Sequence, residues 1–300
     1  MHSHSHGHNH AHHDEGASKR IGWAFFLNLT FTIVEFIGGW LTNSTAIMAD
    51  AIHDLGDSIS IGMSWVLNKL SNKPASNRFS YGYKRFSLLG ALINGLVLTV
   101  GSIFILIEAI PRLANPEMPH VEGMLLLAIF GMLVNGYAAY KLSHGKTLNE
   151  RVLNWHLLED VLGWVAIFVV SIILMFVDWP ILDPILSICF TLFILFNVLR
   201  TLKSTLMLFL QAAPDIELIE SIKSRVLSKA IVGEVHHLHI WSLDGENNVL
   251  TAHIVLNTEI SNEELKAYKL ELRHELKEFD FAHTTIEIEF LDEQCRDASH

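Results

Sequence analysis

The sequence predicts a membrane protein of two parts, an all-α six-helix transmembrane bundle followed by a small α+β domain. Two observations predict this fold class. Half of the 300 residues are hydrophobic, and six apolar segments are each long enough to supply the roughly 20 residues that a bilayer core requires. After the sixth segment the pattern changes to short helical and strand periods. We therefore expect a histidine-rich tail at 1–20, a transmembrane domain at 21–210 and a soluble domain at 211–300.

The six apolar segments define the expected membrane helices to within a few residues. They are 21–41, 44–68, 86–110, 121–142, 153–177 and 181–209. Nothing before Ile21 resembles a cleavable signal peptide, because there is no apolar stretch and no small-residue cleavage site. We expect the first segment to stay in the protein as a helix.

Basic residues lie almost entirely on one side of the predicted bundle. On that side are Lys19, Arg20, Lys69, Lys73, Arg78, Lys84, Arg85, Lys141, Lys146, Arg151, Arg200 and Lys203, and only Arg112 lies on the other. By the positive-inside rule, we expect a multi-pass protein of the cell (inner) membrane with both termini and the soluble domain in the cytoplasm. The two cysteines imply no disulfide framework, which suits a reducing cytoplasm.

The net charge of −11 resides almost wholly in the C-terminal part of the chain. From Ala213 onward there are 18 acidic and 8 basic residues, a balance of −10. An acidic domain argues against binding to nucleic acid or to an anionic bilayer surface, and it is compatible with cations.

Seven histidines occupy the first thirteen residues, interleaved with Ser, Gly, Asn and Ala. This tract has no apolar periodicity, so we predict that it is disordered. Its composition suits a weak collector of metal ions. The alternatives are a solvated tail and a purification tag, and the interleaving argues against a simple tag.

The soluble domain reads as α-β-β-α-β. IELIESIKSRVL has a helical period, and VHHLHIWSL and NVLTAHIVLN alternate as strands joined by a turn that contains Gly245. Ser261 or Asn262 is expected to cap the second helix, since acidic residues follow at once. HTTIEIEF closes the domain as a third strand, which gives one sheet with two helices.

Two His–Asp pairs with the same spacing lie inside the apolar segments and are candidate metal ligands. His53 and Asp57 are four residues apart in the second segment, and His156 and Asp160 are four residues apart in the fifth. On a helix each pair shares one face, with Cβ atoms roughly 6 Å apart. Two such faces turned toward each other offer two nitrogens and two oxygens, a tetrahedral donor set for a zinc-like ion.

Other acidic residues lie beside these pairs, namely Asp50, Asp54 and Glu159, and Glu35 lies in the first segment. Such groups could form buried pairs that hold helices together, either with one another or with Lys and Arg. However, no Lys or Arg lies in the middle of a predicted span. A bound cation or protons must therefore neutralise them. We expect Asp50 and Asp54 to support the ligands or line the path. Glu35 either lines an ion path or joins helices by a hydrogen bond.

At these residues the chain resembles the cation diffusion facilitator family, membrane antiporters that export zinc and related ions. The resemblance rests on LTNSTAIMADAIHDLGD, RFSYGYKRFSLLGALING, HLLEDVLGW, VHHLHIWSL and HTTIEIE, and it covers residues 20–291. It implies six spans, a metallochaperone-like cytoplasmic domain and a homodimer. The histidine-rich tail and the HTTIE motif are similar to those of the cobalt, zinc and cadmium resistance branch.

The resemblance also implies which residues bind metal. His53, Asp57, His156 and Asp160 would form the transport site, a set of two His and two Asp that the family associates with zinc. In the cytoplasmic domain, His236, His253 and Glu287 match metal-binding positions of the family, and His237, His239, His283 and Cys295 are further candidates. The connection from Lys69 to Arg85 contains no His, Asp or Glu, so the extra site that some members carry there has no ligands.

Strand alternation predicts which candidate metal ligands of the cytoplasmic domain share a face of a strand. It puts His237 and His239 on one face of the first strand and His236 on the other, and it puts Glu287 and Glu289 together on one face of the third strand. The alternative is that these residues are ordinary solvated side chains of surface strands.

The expected function is proton-coupled export of zinc, and with it cadmium or other divalent cations, by alternating access. Imidazole has an ordinary pKa of about 6.5, so protons and metal compete for histidine near physiological pH. The chain has no phosphate-binding loop of the GxxxxGK(S/T) type, so we expect no ATP to drive it. A membrane metalloenzyme is disfavoured because HExxH and dense histidine boxes are absent. A membrane-anchored metal sensor would leave the intramembrane ligands unexplained.

Overall fold

The membrane part of the chain consists of six long helices. The computed structural model describes the backbone of residues 11–71, 73–142, 148–295 and 297, and within these it describes no side chains for 11–24, 64–65, 68–69, 71, 141–142 and 148–156. The helices are α1 (Ala11–Thr42), α2 (Thr45–Ser71), α3 (Phe86–Ala114), α4 (Val121–Leu142), α5 (Leu148–Phe176) and α6 (Leu182–Phe209).

The helix bounds follow the apolar segments, with differences at two N-termini. α1 begins at Ala11 and not at 21, and α5 begins at Leu148 and not at 153. The added residues contain no proline, so nothing in them interrupts a helix that the apolar segment stabilises. The earlier start of α5 places His156 two turns inside this helix.

Five of the helices, α1 and α3–α6, are long and apolar enough to cross a membrane. Within the described residues α2 does not meet this test, because it carries Asp50, Asp54 and Asp57. Asp50 and Asp54 are buried inside the bundle. The predicted six-helix bundle is confirmed, with α2 as its polar member.

The core of the bundle forms where α1, α2, α4, α5 and α6 meet. Phe31, Ile47, Met124 and Trp164 are buried there, and the rings of Phe31 and Trp164 pack edge to face with centroids 5.9 Å apart. A Cβ atom on Gly131 of α4 would lie 2.3 Å from the Trp164 indole. The absence of a side chain at this glycine therefore lets α4 and α5 approach closely.

The N-terminus of α2 is capped by the N-terminus of α6. Asp183 is 1% exposed and accepts hydrogen bonds from the Ser44 hydroxyl (2.5 Å) and from the Thr45 amide and hydroxyl (2.7 and 2.8 Å). The Ala46 amide donates to the same carboxylate at 3.3 Å. A carboxylate at a helix N-terminus satisfies the unpaired amides of the first turn and interacts favourably with the helix dipole.

After α6 the chain folds into two helices packed on a three-stranded sheet. The elements are α7 (Ile216–Leu227), β1 (Val232–Ser242), β2 (Asn248–Leu256), α8 (Asn262–Leu276) and β3 (His283–Glu289), with a 3-10 turn at Lys277–Phe279. The central strand β2 pairs antiparallel with β1 and parallel with β3. The predicted α-β-β-α-β order is confirmed.

Short-range hydrogen bonds and one glycine stabilise the start of α8 and the β1–β2 turn. Ser261 caps α8, since its hydroxyl accepts from the Glu264 amide and the Glu264 carboxylate accepts from the Ser261 amide at 2.8 Å. Gly245 adopts φ +102° in the β1–β2 turn, a conformation that glycine adopts without strain. Asp244 accepts from the Asn247 amide at 2.7 Å in the same turn.

The chain forms two compact units. Of the described residues, one unit contains those up to Lys69 together with Gly90–Leu202, and the other contains those of Leu70–Leu89 together with those from Lys203 onward. The second unit therefore includes the connection between α2 and α3 as well as the C-terminal domain.

Within the second unit, the connection between α2 and α3 packs on the C-terminal domain. The Tyr81 ring lies edge-on to Trp241 and His283, with centroid distances of 6.5 and 5.7 Å. The Lys84 ammonium donates to the Asn247 side-chain oxygen at 2.5 Å. These contacts use an aromatic and a basic residue of a segment that contains no metal-ligating side chain.

Candidate metal centres

The first candidate centre lies between α2 and α5. Asp57 lies one turn after His53 on α2, and His53 Nε2 lies 3.7 Å from Asp57 Oδ2. Asp160 of α5 approaches from the neighbouring helix, with its Oδ1 3.8 Å from His53 Nε2. The three donor atoms lie within 4.8 Å of one another.

His156, the fourth predicted member of this centre, lies in α5 one turn before Asp160. Its side chain is outside the part of the chain whose side chains are described. The backbone position puts it on the helix face that carries Asp160, because residues four apart on a helix share a face.

The spacing of the donors suits a single small cation. Two donors about 2.1 Å from one tetrahedral zinc ion lie about 3.4 Å from each other. The distances of 3.7 and 3.8 Å from His53 Nε2 to the two carboxylates are close to that value. One imidazole nitrogen and two carboxylate oxygens match the donor types that zinc and related ions prefer.

Further acidic side chains surround this centre. Asp50, 7% exposed, lies on α2 one turn before His53, and its Oδ1 would lie 3.5 Å from a Cβ atom on Gly163 of α5. Asp54 is 3% exposed and Glu35 of α1 is 1% exposed. The carboxylates of Asp50 and Asp54 therefore lie inside the bundle, next to the donors of the centre.

The second candidate centre lies on the sheet of the C-terminal domain. His236 of β1, His253 of β2, Glu289 of β3 and Cys295 bring four donor atoms within 4.8 Å of one another. Glu289 lies against both histidines: its Oε1 is hydrogen-bonded to His253 Nδ1 at 2.6 Å, and its Oε2 lies 3.1 Å from His236 Nε2. Cys295 Sγ lies 3.5 Å from His253 Nδ1. Two imidazoles, a carboxylate and a thiol are a donor set of the kind that binds zinc.

The neighbours of this centre shift the pKa of two of its members. Burial raises the pKa of the Glu289 carboxyl, but hydrogen bonds with His253 and Cys295 and the charges of the two histidines outweigh it and hold the pKa below its ordinary value. Burial, together with the nearby carboxylates of Glu289 and Asp297, raises the pKa of the Cys295 thiol. A metal ion must therefore displace a proton from this thiol to bind it.

A β-bulge overturns the alternation predicted for the histidines of β1. The pairing with β2 shifts register between His236 and His239, and His237 adopts φ +46°. The rings of His236 and His237, which alternation puts on opposite faces, both lie beside His253, with centroids 5.5 and 5.1 Å away. An extra residue in one strand redirects the side chains that follow it, which explains the departure from a strict two-residue period.

Three other candidates lie at the margin of the second centre or away from it. Glu287 is more exposed than Glu289, with 43% against 8% of its side chain accessible, and its Oε2 lies 3.8 Å from His253 Nε2. His239 is exposed on β1. His283 lies at the start of β3, where its Nε2 is 3.2 Å from the Thr285 hydroxyl.

Glu289 belongs to this donor cluster, and the sequence prediction did not name it among the candidate ligands. Alternation does place it on the face of Glu287, but only the paired sheet makes it the more enclosed of the two. The histidines at 2, 4, 6, 8 and 10 lie outside the described residues, as do the side chains of His12 and His13.

Comparison with known families covers both parts of the chain. Residues 23–210 match the model described as the cation efflux transmembrane domain, and residues 214–290 match the model described as the cytoplasmic domain of cation efflux proteins. The two matches meet at the junction between α6 and the C-terminal domain.

Curated relatives resemble the chain over nearly its whole length. The chain is 33% identical to the cadmium, cobalt and zinc/H(+)-K(+) antiporter of Bacillus subtilis, over 92% of this chain and 91% of that one. It is 32% identical to the metal cation efflux system protein CzcD of Cupriavidus metallidurans and 33% identical to the zinc transporter ZitB of Escherichia coli, in each case over 96% of this chain and 92% of the other. The chain therefore belongs to the cation efflux family, whose members are metal transporters and not enzymes.

Proposed function

We propose that this protein exports zinc from the cytoplasm in exchange for protons, by alternating access of one intramembrane site to the two sides of the membrane. Zinc is the first candidate because imidazole and carboxylate donors suit it and because the relative from Escherichia coli is named a zinc transporter. Cadmium and cobalt follow, since both appear in the name of the relative from Bacillus subtilis.

The observation that carries this proposal is the convergence of His53, Asp57 and Asp160 from two helices of the bundle. Ionisable side chains are costly in a bilayer unless they serve an ion or a proton. A site shared between two helices can bind an ion in one arrangement of the helices and release it in another. We expect the imidazole of His156 to complete the site from α5.

Competition between protons and the metal explains the exchange. An ion that enters from the cytoplasm displaces protons from the imidazole and carboxyl groups of the site. When the site opens to the other side, protons return and the ion leaves.

Zinc uptake into sealed vesicles tests the proposal. The purified protein is reconstituted, a pH gradient is imposed, and zinc is followed with a trapped fluorescent indicator. Asp57→Ala removes a carboxylate of the site, so we expect it to abolish the gradient-driven flux. Asp178→Ala, a change at an exposed loop residue, serves as the matched control and is expected to leave the flux intact. Retained flux in Asp57→Ala would remove this residue from the site.

The same assay separates the transporter from a membrane-anchored metal sensor. The four-donor centre of the C-terminal domain is the feature that favours a sensor. A sensor would bind zinc in the purified state and move none across the vesicle membrane, whereas a transporter does both.

We also infer that the C-terminal domain holds a resident metal ion. His236, His253, Glu289 and Cys295 fit such an ion, because their donor atoms already converge in a mixed nitrogen, oxygen and sulfur set. The ion would supply a crosslink between the chain that follows β3 and the strands β1 and β2. We expect this crosslink to regulate transport.

The remaining assignments concern assembly and location. The model matched by residues 214–290 describes a cytoplasmic, dimer-forming domain, which supports a homodimer. We assign 1–20 to a metal-collecting tail, 21–210 to transport and 211–300 to regulation and dimerisation, in the inner membrane with both termini in the cytoplasm. Light scattering of the purified protein should give two chains per particle, and a fluorescent reporter fused to the C-terminus should fold only on the cytoplasmic side.

A further inference from the structure

Asn135 of α4 carries a buried amide group whose donor has no acceptor. The residue is 5% exposed, and its Nδ2 amino group makes no hydrogen bond within the described part of the chain. A buried donor without an acceptor is costly. An asparagine that only joined two helices would donate such a bond to the neighbouring helix, so the position of Asn135 calls for another reason.

The packing of α4 on α5 places Asn135 level with Asp160. Residues 143–147 separate the two helices, which pack against each other, so they run antiparallel. A Cβ atom on Gly131 would lie 2.3 Å from the Trp164 indole, which fixes where the helices meet. Asn135 lies one turn after Gly131 on α4. Asp160 lies one turn before Trp164 on α5. In an antiparallel pair these two steps run in the same direction and reach the same height in the bundle.

A second pair of residues supports this register. Ala128 lies one turn before Gly131, and Ile167 lies one turn after Trp164. Ala128 and Ile167 are both 0% exposed and belong to one apolar cluster. The two helices therefore keep one register along this contact, and the next step leads to the level of the intramembrane centre.

Contacts between α1 and α4 give an independent register. A Cβ atom on Gly123 of α4 would lie 2.9 Å from the methyl group of Thr42 on α1. A Cβ atom on Gly38 of α1 would lie 2.5 Å from a methyl group of Leu127 on α4. A step of one turn back along α1 thus matches a step of one turn forward along α4, so these helices are antiparallel as well.

The register of α1 and α4 also leads to the intramembrane centre. Two turns further along, α4 reaches Asn135 and α1 reaches the turn that begins at Asn28. Asn28 Nδ2 donates to the Asp54 carbonyl oxygen at 3.1 Å and to the Ser58 hydroxyl at 3.0 Å. These two acceptors flank Asp57 on α2. By both routes Asn135 lies at the height of the donors of the centre.

The chemistry of the amide decides what Asn135 can do at this level. An NH2 group donates hydrogen bonds and cannot bind a cation, so it acts on an ion through an acceptor. The Asp160 carboxylate, 6% exposed, has acceptor oxygens at the same height. Carboxylates that bind metal ions are themselves hydrogen-bonded by neighbouring groups that orient them.

We propose that Asn135 is a positioning residue for the transported ion: its amide donates to one oxygen of the Asp160 carboxylate and keeps the other oxygen directed at the ion. The bond forms as the carboxylate turns to hold an ion, which gives the unpaired donor an acceptor. This inference rests on the proposed transport function and deepens it, because it adds α4 to the two helices that supply ligands.

Zinc titration against a competing chelator tests the inference. The full-length protein in detergent carries His253→Ala, which disables the C-terminal centre, so that the intramembrane centre is measured. Asn135→Ala removes the donor without overfilling the space, and we expect it to weaken zinc binding at the intramembrane centre by about 10–100-fold. The histidines of the tail are common to all variants and cancel in the comparison. An unchanged affinity would overturn the inference.

Two further variants separate the amide from the size of the side chain. Asn135→Gln keeps an amide donor, whereas Asn135→Met has a side chain of similar length without one. We expect Asn135→Gln to bind zinc more tightly than Asn135→Met, because only the first can still donate to Asp160. Equal affinities in the two variants would show that the size of the side chain matters and the donor does not, which would overturn the inference.

Ser171→Ala is the control for a general disturbance of the bundle. Ser171 is a buried polar residue of α5, about three turns after Asp160, and its hydroxyl donates to the Ile167 carbonyl oxygen at 2.8 Å. We expect Ser171→Ala to bind zinc as tightly as the protein with His253→Ala alone, and a loss equal to that of Asn135→Ala would also overturn the inference. The proposed function fails separately, if a pH gradient drives no zinc into vesicles that contain the unchanged protein, since the titration measures binding alone.

Discussion

At the scale of single residues, Glu289 and Glu287 are expected to differ in their importance for metal binding. They are two residues apart on β3, but Glu289 contacts both histidines of the C-terminal centre, whereas Glu287 is 43% exposed and lies no closer than 3.8 Å to His253. Glu289→Gln should therefore weaken zinc binding at this centre by about 10–100-fold, the range found when a group that holds or orients a metal ligand is lost. Zinc titration against a competing chelator, in a background where Asp57→Ala disables the intramembrane site, measures the affinity.

Glu287→Gln is the matched control for that measurement. It makes the same chemical change on the same face of the same strand, and we expect the affinity to stay nearly unchanged. Equal losses in the two variants would show that both carboxylates hold the ion, and a larger loss in Glu287→Gln would restore the ligand set expected from the sequence.

Cys295 should decide how the C-terminal centre ranks metals. A thiolate is a softer donor than a carboxylate or an imidazole, so it favours cadmium more than it favours zinc. Cys295→Ser should therefore weaken cadmium binding by a larger factor than zinc binding. Titration of the full-length protein with each metal in turn measures both factors, and equal factors would exclude Cys295 as a ligand of the bound ion.

At the scale of helices, close packing between α4 and α5 depends on Gly131. Its Cβ position lies 2.3 Å from the Trp164 ring, whereas the same position on Gly136 of α4 is open. Gly131→Ala forces the large ring to move and should destabilise the bundle by about 1–3 kcal/mol. Gly136→Ala should be neutral or stabilising by about 0.5–1 kcal/mol, because alanine is the better helix former. Thermal unfolding in detergent compares the two variants, and similar midpoints would contradict the packing argument.

The cap of α2 by Asp183 predicts a second loss of stability. Asp183→Asn replaces one acceptor oxygen with an amide that meets hydroxyl and amide donors of Ser44, Thr45 and Ala46. Each donor left without an acceptor costs about 1–3 kcal/mol. The unfolding midpoint of Asp183→Asn should therefore fall clearly, while that of Asp178→Asn, at an exposed position, should not change.

The elements also differ in how far the sequence determines them. Apolar runs predict the six membrane helices because a bilayer leaves few alternatives to a helix for such segments. The spacing of His53 and Asp57 predicts a shared face because it depends on helix geometry alone. The cap of α2 by Asp183 is not visible in the sequence, since its partners lie 137 to 139 residues away.

The arrangement of the C-terminal centre also cannot be predicted from the sequence alone. The bulge at His237 arises from the pairing of β1 with β2, so the periodicity of β1 by itself cannot reveal it. Glu289 meets histidines that come from β1 and β2, and Cys295 reaches His253 from the segment that follows β3. Contacts of this kind are set by the tertiary fold and override local alternation.

At the scale of the whole molecule, we expect metal binding on the sheet to affect transport through the connection between α2 and α3. The chain passes from α2, which carries His53, into this connection, where Tyr81 packs against His283 at the start of β3. β3 also carries Glu289, a donor of the C-terminal centre. We therefore expect a shift of β3 on metal binding to move Tyr81 through its ring contact with His283, and the covalent chain joins Tyr81 to α2.

A double-mutant cycle tests this link. His253→Ala removes a donor of the C-terminal centre and Tyr81→Ala removes the ring contacts of the connection, so each change should slow zinc flux in vesicles. If both act on one pathway, the double variant should be no slower than the slower single variant, because residues coupled in one network are not additive. Tyr81→Phe keeps the ring and should transport at the rate of the unchanged protein. Losses that add in the double variant would mean that the connection and the metal centre act independently, in which case the aromatic contact serves stability alone.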